Sequence, residues 1–363
     1  MKINSIKTYS VSIPLNTDFN ISGGENTSAD HVIVEIETDE GIIGWGEAAP
    51  LISYSGETME SIKFAIDNYL SKALIGEDPT NIVKIHEKMD FLKENYFAKA
   101  AIDFACYDIT GKKLQVPVYK LLGGKYRDKI SVGQSVGIKS VEETVKEAIQ
   151  YEKAGFKSIK LKIGNDAEYD FKRIKEVGEA IDVPIRVDAN QGYRFDEAVD
   201  ILTKLDDFGL LLIEQPLPKW NLEGMAKLCD MLNTPILADE SCYTIHDAIN
   251  LIKYNAADIF NIKILKPGGL YNSSQIASIA TSAMIPLSIG SMVEMGIGTA
   301  AGAHFAASVK YLDYPSDVKG PSLMADSILK KPIKIEDGYT HVPEGPGLGI
   351  EVDYDKLDKY KVD

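Results

Sequence analysis

The chain is short of cysteine, of basic residues and of long apolar runs, and each shortage removes a class of protein. Only Cys106, Cys229 and Cys242 occur among 363 residues. Their number is odd and their spacing makes no zinc or redox motif, which points to a reducing compartment and to thiols packed as small apolar groups. Lys and Arg number 39 against 54 Asp and Glu, a formal charge of -15. Repulsion at that charge opposes a polyanion, so no nucleic-acid partner is expected. No apolar stretch reaches the length of a membrane span, and the opening MKINSIKTYSVSIPL alternates like a strand instead of reading as a signal peptide. A cytoplasmic protein without a membrane partner is the expectation.

What is present is ordinary in kind: 45% hydrophobic and 26% charged residues, the balance of a soluble globular chain. At this length one core usually stops growing, so two units or one large barrel with attachments are expected. The first third holds few strands and several helices. Residues 2–13 alternate, and HVIVEIETDEGIIGWGE reads as two strands joined at a turn containing Gly41. Between them NTDFNISGGENTSAD has the composition of an exposed loop able to move over a site. Helices are predicted from about Gly56 to Gly123, with Ser55 as a first cap. From Ile130 the pattern becomes short apolar runs separated by amphipathic stretches: ISVGQSVGI, FKSIKLKIG, VPIRVDANQ, GLLLIEQPL, TPILADES, DIFNIKILK and MIPLSIGSMVE. This rhythm predicts an α/β fold, a modified TIM (β/α) barrel over 126–330 behind an α+β capping domain over 1–125. The tail, 331–363, is expected to form a last hairpin packing back on the capping domain. Its GPGLG lacks the flanking strand and helix of a phosphate loop and reads as turn chemistry.

Charged residues interrupt the apolar runs at regular intervals. Lys162, Asp188, Glu214, Asp239 and Lys263 follow one another at 26 (162 to 188), 26 (188 to 214), 25 (214 to 239) and 24 residues (239 to 263). One βα unit separates each from the next, so a barrel returns all five to its C-terminal rim, where such barrels carry their active sites. Three carboxylates converging there repel one another unless a cation joins them. An all-oxygen set without His or Cys suits Mg²⁺, and flanking lysines supply acid–base groups. Individually each residue has a plainer explanation: a solvated lysine at a strand end, an Asp188–Asn190 helix cap, an acidic helix entry at Asp239–Glu240. None of these explains the repeated spacing.

Taken together, GWGEAAPLISYSGET, AIDFACYDITGKKLQVPVYKLLGG and the barrel motifs KLK, DANQ, IEQP, ADES, NIK and GSMVE resemble the enolase superfamily, in its muconate-lactonising and dipeptide-epimerase subgroup. The resemblance spans nearly the whole chain. It implies Lys162 and Lys263 as paired acid and base on opposite faces of a small carboxylate substrate, and Asp188, Glu214 and Asp239 as Mg²⁺ ligands. It further implies Lys160 as a positive charge beside the substrate carboxylate, Asn190 and Glu240 as supporting residues, an enediolate intermediate, and a homo-oligomer. A related subgroup uses a barrel histidine as base, but none of His31, His86, His246, His304 or His341 falls at a strand end, and His304 reads as a packed helix residue.

The resemblance also shows a departure. Dipeptide epimerases of the subgroup carry Asp-x-Asp after the last barrel strand to hold the substrate ammonium, whereas YPSDVKGPSLM places Asp317 first and Lys319 second. That charge reversal leaves an N-modified amino acid, a betaine-like compound or another carboxylate open; the plain alternative has Lys319 pointing to solvent. Further pocket candidates are Asp18, Phe19, Ile21 and Ser22 in the first loop, Gln134 and Ser135 on the first barrel strand, and Ser291, Met292 and Glu294 after the seventh. The expected activity is a racemase or epimerase working by 1,1-proton transfer on a dipeptide or amino-acid derivative. A muconate-type cycloisomerase, a succinylbenzoate-synthase-like lyase and a non-enzymatic carboxylate-binding protein are the rivals.

Overall fold

Alternation at the start of the chain produces two long antiparallel strands. In the computed structural model β1 (Ile3–Ile21) pairs with β2 (Gly24–Thr38), and β2 with β3 (Ile43–Ala48). The described residues are 1–363 without Ser22, Gly23, Asn165 and Asp363; the side chains of 17–26 are also outside the description, which sets aside the candidates Asp18, Phe19, Ile21 and Ser22. The turn between β2 and β3 holds Gly41 at a φ of 75°, as the sequence predicts. The polar segment 16–30, expected as an exposed loop, differs from expectation. It continues the hairpin, with Pro14 opposite Ser28, Phe19 opposite Asn26 and Ile21 opposite Gly24. Polarity marks a wet surface, but backbone groups on a wet surface still pair across a hairpin.

The helix Tyr96–Leu114 lies against this sheet, and a glycine decides how closely: a Cβ on Gly46 would stand 1.8 Å from Ala101 O. Ser55 is not the cap expected. It ends a single-turn helix, while Thr58 caps Met59–Ala65 by accepting from Ser61 N at 3.2 Å.

The second unit begins with β4 (Lys129–Ser131), followed by seven parallel strands among the described residues: β5 (Gln134–Val136), β6 (Ile159–Lys162), β7 (Ile185–Asp188), β8 (Ile213–Glu214), β9 (Ile236–Ala238), β10 (Ile259–Ile262) and β11 (Leu287–Ile289). They pair in chain order, each of the seven predicted runs supplying one strand. Residues 311–317 then act as an eighth stave. Leu287 N donates to Tyr311 O and Asp317 N to Ile289 O, both at 2.8 Å, while Ser316 N donates to Ser131 O at 2.8 Å. The sheet thereby curls back onto its own first edge, as a parallel barrel requires.

The tail corrects one expectation. β12 (Ile335–Glu336) and β13 (Tyr339–His341) form the hairpin, but β13 pairs with β4 and not with the first sheet. The chain beyond it does return to the first unit. Leu348 N donates to buried Asp108 at 2.8 Å, and Tyr354 stacks edge-on against Trp45 at 5.6 Å. GPGLG is turn chemistry as read, with Gly345, Gly347 and Gly349 all at positive φ.

Candidate active site

Side chains on a strand alternate, so residues two apart share a face. On β6 to β10 the pairs Lys160/Lys162, Arg186/Asp188, Leu212/Glu214, Leu237/Asp239 and Asn261/Lys263 follow this rule. Register carries them around the ring, with Lys160 opposite Arg186, Lys162 opposite Asp188, and Asp188 opposite Glu214. Leu212, Leu237 and Ile259, with Tyr314, form a small buried cluster separate from the main core. One step further toward the strand ends, the same faces become ionic. Apolar residues plug the barrel and charged ones line its mouth, which is how a packed barrel keeps a polar floor to its site.

The charged layer is tightly paired. Lys162 Nζ donates to Asp188 Oδ2 at 2.6 Å and to Asn190 Oδ1. Asn190 in turn donates through Nδ2 to Glu240 Oε1 at 3.2 Å. Lys160 Nζ reaches Asp317 Oδ2 at 3.0 Å, Glu214 Oε2 at 3.2 Å and Asp188 Oδ2 at 3.5 Å. Across the mouth, Lys263 Nζ lies 2.7 Å from Asp239 Oδ2, and Lys266 Nζ donates to Asp239 Oδ1 at 2.9 Å. Tyr54, from the first unit, donates its hydroxyl to the same Oδ1 at 3.0 Å, and its ring lies 4.2 Å from Lys263 Nζ. All five residues of the regular series therefore belong to one cluster.

Burial and charge compete in this layer. Burial pushes the Asp188 carboxyl up, but Lys162 and Lys160 outweigh it and hold the group below its ordinary range; Lys263 and Lys266 do the same for Asp239. Glu214 ends above its ordinary range, because burial and the neighbouring Asp188 charge exceed what Lys160 returns. Burial pushes Lys263 down, yet Asp239, Glu240 and Glu214 leave it raised. Glu240 is pushed up to about 8 by burial and by Asp239, and its Oε2 has no hydrogen-bond partner among the described residues. Buried oxygens short of positive charge fit a hard cation, and the donor set is all oxygen. Among the described residues these carboxylates do not converge as a ready metal cage; their oxygens are turned to the ammonium groups.

A cavity of about 240 Å³ opens over the layer, a size suited to a small molecule. Lys160, Lys162, Asp188, Asn190, Glu240 and Lys263 are on its wall, as are Ser135, Ser291, Met292, Asp317 and Lys319. One alternative falls and three expectations change. Lys319 does not point to solvent: it is 4% exposed, enclosed with Asp317 at the end of the eighth stave. Asp317 is not free to hold an ammonium, since Arg186 takes Oδ1 and Lys160 takes Oδ2. Glu294 is not on the cavity wall; it accepts from Ser291 Oγ and Met292 N and so shapes the loop behind it. Gln134 is buried but off the wall. Sequence reading missed Arg186, Lys266, Tyr54 and His31. Arg186 carried a signal, two residues before Asp188 and so on its face; His31 and Tyr54 come from the first unit and carried none.

Residues 3–123 match the family described as mandelate racemase / muconate lactonizing enzyme, N-terminal domain, and residues 143–356 match the enolase C-terminal domain-like family. The chain belongs to the enolase superfamily. Within that superfamily it is 38% identical to the N-succinyl-L-Arg/Lys racemase of Bacillus cereus, over 100% of this chain and 98% of the relative. The crystal structure of that racemase superposes with a TM-score of 0.96 at 37% identity, covering 100% and 99% of the two chains. A hydrophobic dipeptide epimerase of Enterococcus faecalis is 41% identical over 85% of this chain and 88% of its own. Its structure, complexed with Mg and the dipeptide L-Leu-L-Tyr, gives a TM-score of 0.92 at 38% identity over 97% and 100%. Muconate cycloisomerase 1 of Rhodococcus opacus is 33% identical over 98% of both chains. These enolase-superfamily relatives are all isomerases. Among the described residues of this member, no helix is long and apolar enough to cross a membrane.

Proposed function

We propose that this protein is a racemase or epimerase that exchanges the proton on the carbon next to a carboxylate in an amino-acid derivative. One observation carries the reading: Lys162 ends β6 and Lys263 follows β10, four staves apart in a ring of eight, and both line one cavity. Two amines facing each other across a bound substrate take a proton from one side and return it from the other, which inverts the centre. Asp188, Asn190 and Asp239 fix the two Nζ atoms in place, and in each turnover one lysine enters as the neutral amine that takes the proton and the other as the ammonium that gives one. Lys160, two residues before Lys162 on β6, adds a positive charge to the same cavity wall. Asp188, Glu214 and Asp239 would hold Mg²⁺, whose charge would stabilise the negative charge building on the substrate carboxylate. The Mg-bound dipeptide epimerase with the same fold supports this assignment.

The test is incubation in D₂O with Mg²⁺ and pools of N-acyl amino acids and dipeptides. A substrate that gains one deuterium and racemises, with both events lost on chelation by EDTA and restored by Mg²⁺, is the expected result. A product of altered connectivity would replace this reading with a cycloisomerase.

A further inference from the structure

The two lysines that face each other across the cavity are held by different parts of the molecule. Among the described residues, Lys162 takes its polar contacts from the barrel alone: it donates to Asp188 on β7 and to Asn190 just beyond that strand. Lys263 has a single ion pair there, with Asp239. What it has besides is a ring. Tyr54 belongs to the single-turn helix Ile52–Ser55 of the first unit, and Lys263 Nζ lies over the face of its ring, 4.2 Å from the centre. An ammonium is attracted to that face and a neutral amine packs against it, so the ring holds the atom in both of its protonation states. The ring is itself fixed twice. Its hydroxyl donates to Asp239 Oδ1 at 3.0 Å, and it stacks on Tyr243, from the loop after β9, with centroids 6.4 Å apart and planes at 26°. The segment that carries Tyr54 is fastened in turn, because Glu57 accepts from Phe97 N at 3.0 Å and from Ala98 N at 3.4 Å at the start of Tyr96–Leu114. A lysine has a flexible stem, and one ion pair leaves it room to swing out of line.

Resting on the racemase reading above, we propose that Tyr54 is a positioning residue for Lys263, its ring keeping the Nζ atom on line with the reacting carbon. One of the two proton transfers then depends on the first unit, while the other depends on the barrel alone. The two faces of the reaction are built unequally. Loss of the Tyr54 ring should act on the enantiomer that gives its proton to Lys263 and spare the one that gives it to Lys162.

The experiment uses the whole protein with Mg²⁺ and compares the wild type with Tyr54→Leu, Tyr54→Phe and Lys263→Ala. N-acetyl-L-methionine and N-acetyl-D-methionine are incubated separately in D₂O, and the initial rate of α-proton exchange is followed by proton NMR. Lys263→Ala identifies the enantiomer whose exchange depends on that lysine. In Tyr54→Leu, exchange of the same enantiomer is expected to fall by about ten- to a hundredfold, the effect of misplacing a reacting group by about an ångström, with the other enantiomer slowed by no more than about threefold. Tyr54→Phe keeps the ring that stacks on Tyr243 and should retain most of the exchange of both. Equal losses for the two enantiomers in Tyr54→Leu, a rise in KM alone, or a Phe variant as poor as the Leu variant overturns the inference. Crystal structures of the wild type and Tyr54→Leu with Mg²⁺ supply a readout that needs no turnover. Lys263 Nζ should leave its place or lose defined density while Lys162 stays, and an unmoved Lys263 overturns the inference. A displaced Lys263 in a protein whose wild type exchanges neither enantiomer would instead count against the racemase reading and leave the positioning role of Tyr54 standing.

Discussion

At the scale of single residues, the two lysines proposed for the chemistry are each matched with a carboxylate. Lys162 and Lys263 each rest on their own carboxylate, so removing one should leave the other in position. Lys162→Ala and Lys263→Ala are each expected to abolish racemisation, lowering the rate by about 10²-fold or more. Each should still exchange the α-proton of the one enantiomer that presents it to the surviving lysine. Proton NMR of separate enantiomers in D₂O checks this, and equal loss for both enantiomers in both variants would argue against a two-base site. Lys319 differs in being depressed to about 8, through burial first and then Arg186 and Lys160, with Asp317 and Glu294 acting against them. It therefore loses its proton as pH rises through about 8.

At the scale of elements, the helix Gly296–Ser308 shows how a polar residue is built into an apolar segment. Every residue from Gly296 to Ala307 is buried, His304 included. Its ring is satisfied as the neutral form: Tyr119 N donates to Nδ1 at 3.4 Å, and Nε2 faces Leu348 O at 3.1 Å. Burial holds His304 down to about 4, against 6.5 for an unperturbed histidine. Unfolded chains then bind a proton that the native state refuses, so stability falls as pH drops from about 6.5 toward 4. The loss is on the order of 3 kcal/mol at the lower end. Chemical denaturation across this window should show that slope, and His304→Gln should flatten it. The strands teach a different lesson. Each barrel strand was legible because a short apolar run bounded by turns has one reading once it recurs seven times, whereas the β1–β2 extension was not, because a polar hairpin and a polar loop share a composition.

At the scale of the whole molecule, the first sheet completes a site whose chemistry sits in the barrel. Buried Glu47, on β3, accepts from Met295 N and from Gly298 N at 2.7 Å, fastening the sheet to the loop that carries Ser291, Met292 and Val293 on the cavity wall. His31 Nδ1 lies 2.9 Å from the same carboxylate, and His31 also lines the cavity. Val293 holds a φ of 63°, which a β-branched residue adopts only under constraint. Glu47→Gln weakens both backbone contacts and should lower stability by roughly 1.5–3 kcal/mol, the worth of hydrogen bonds to a charged group. KM should rise as the loop loosens. Thermal denaturation and steady-state kinetics measure the two effects, and a lower Tm with KM unchanged would make Glu47 a brace without influence on the site.

The metal-type carboxylates and the two lysines were readable from the chain alone because a βα barrel converts equal sequence spacing into one rim, so a count of 24–26 residues becomes a contact. The sequence by itself also determined the fold class and the reversal of charge at Lys319. Only the tertiary structure decided what that reversal means. Whether Lys319 is solvated or enclosed, and whether Asp317 is free or held by Arg186 and Lys160, depends on burial and pairing among residues more than a hundred positions apart, and no local pattern encodes those distances.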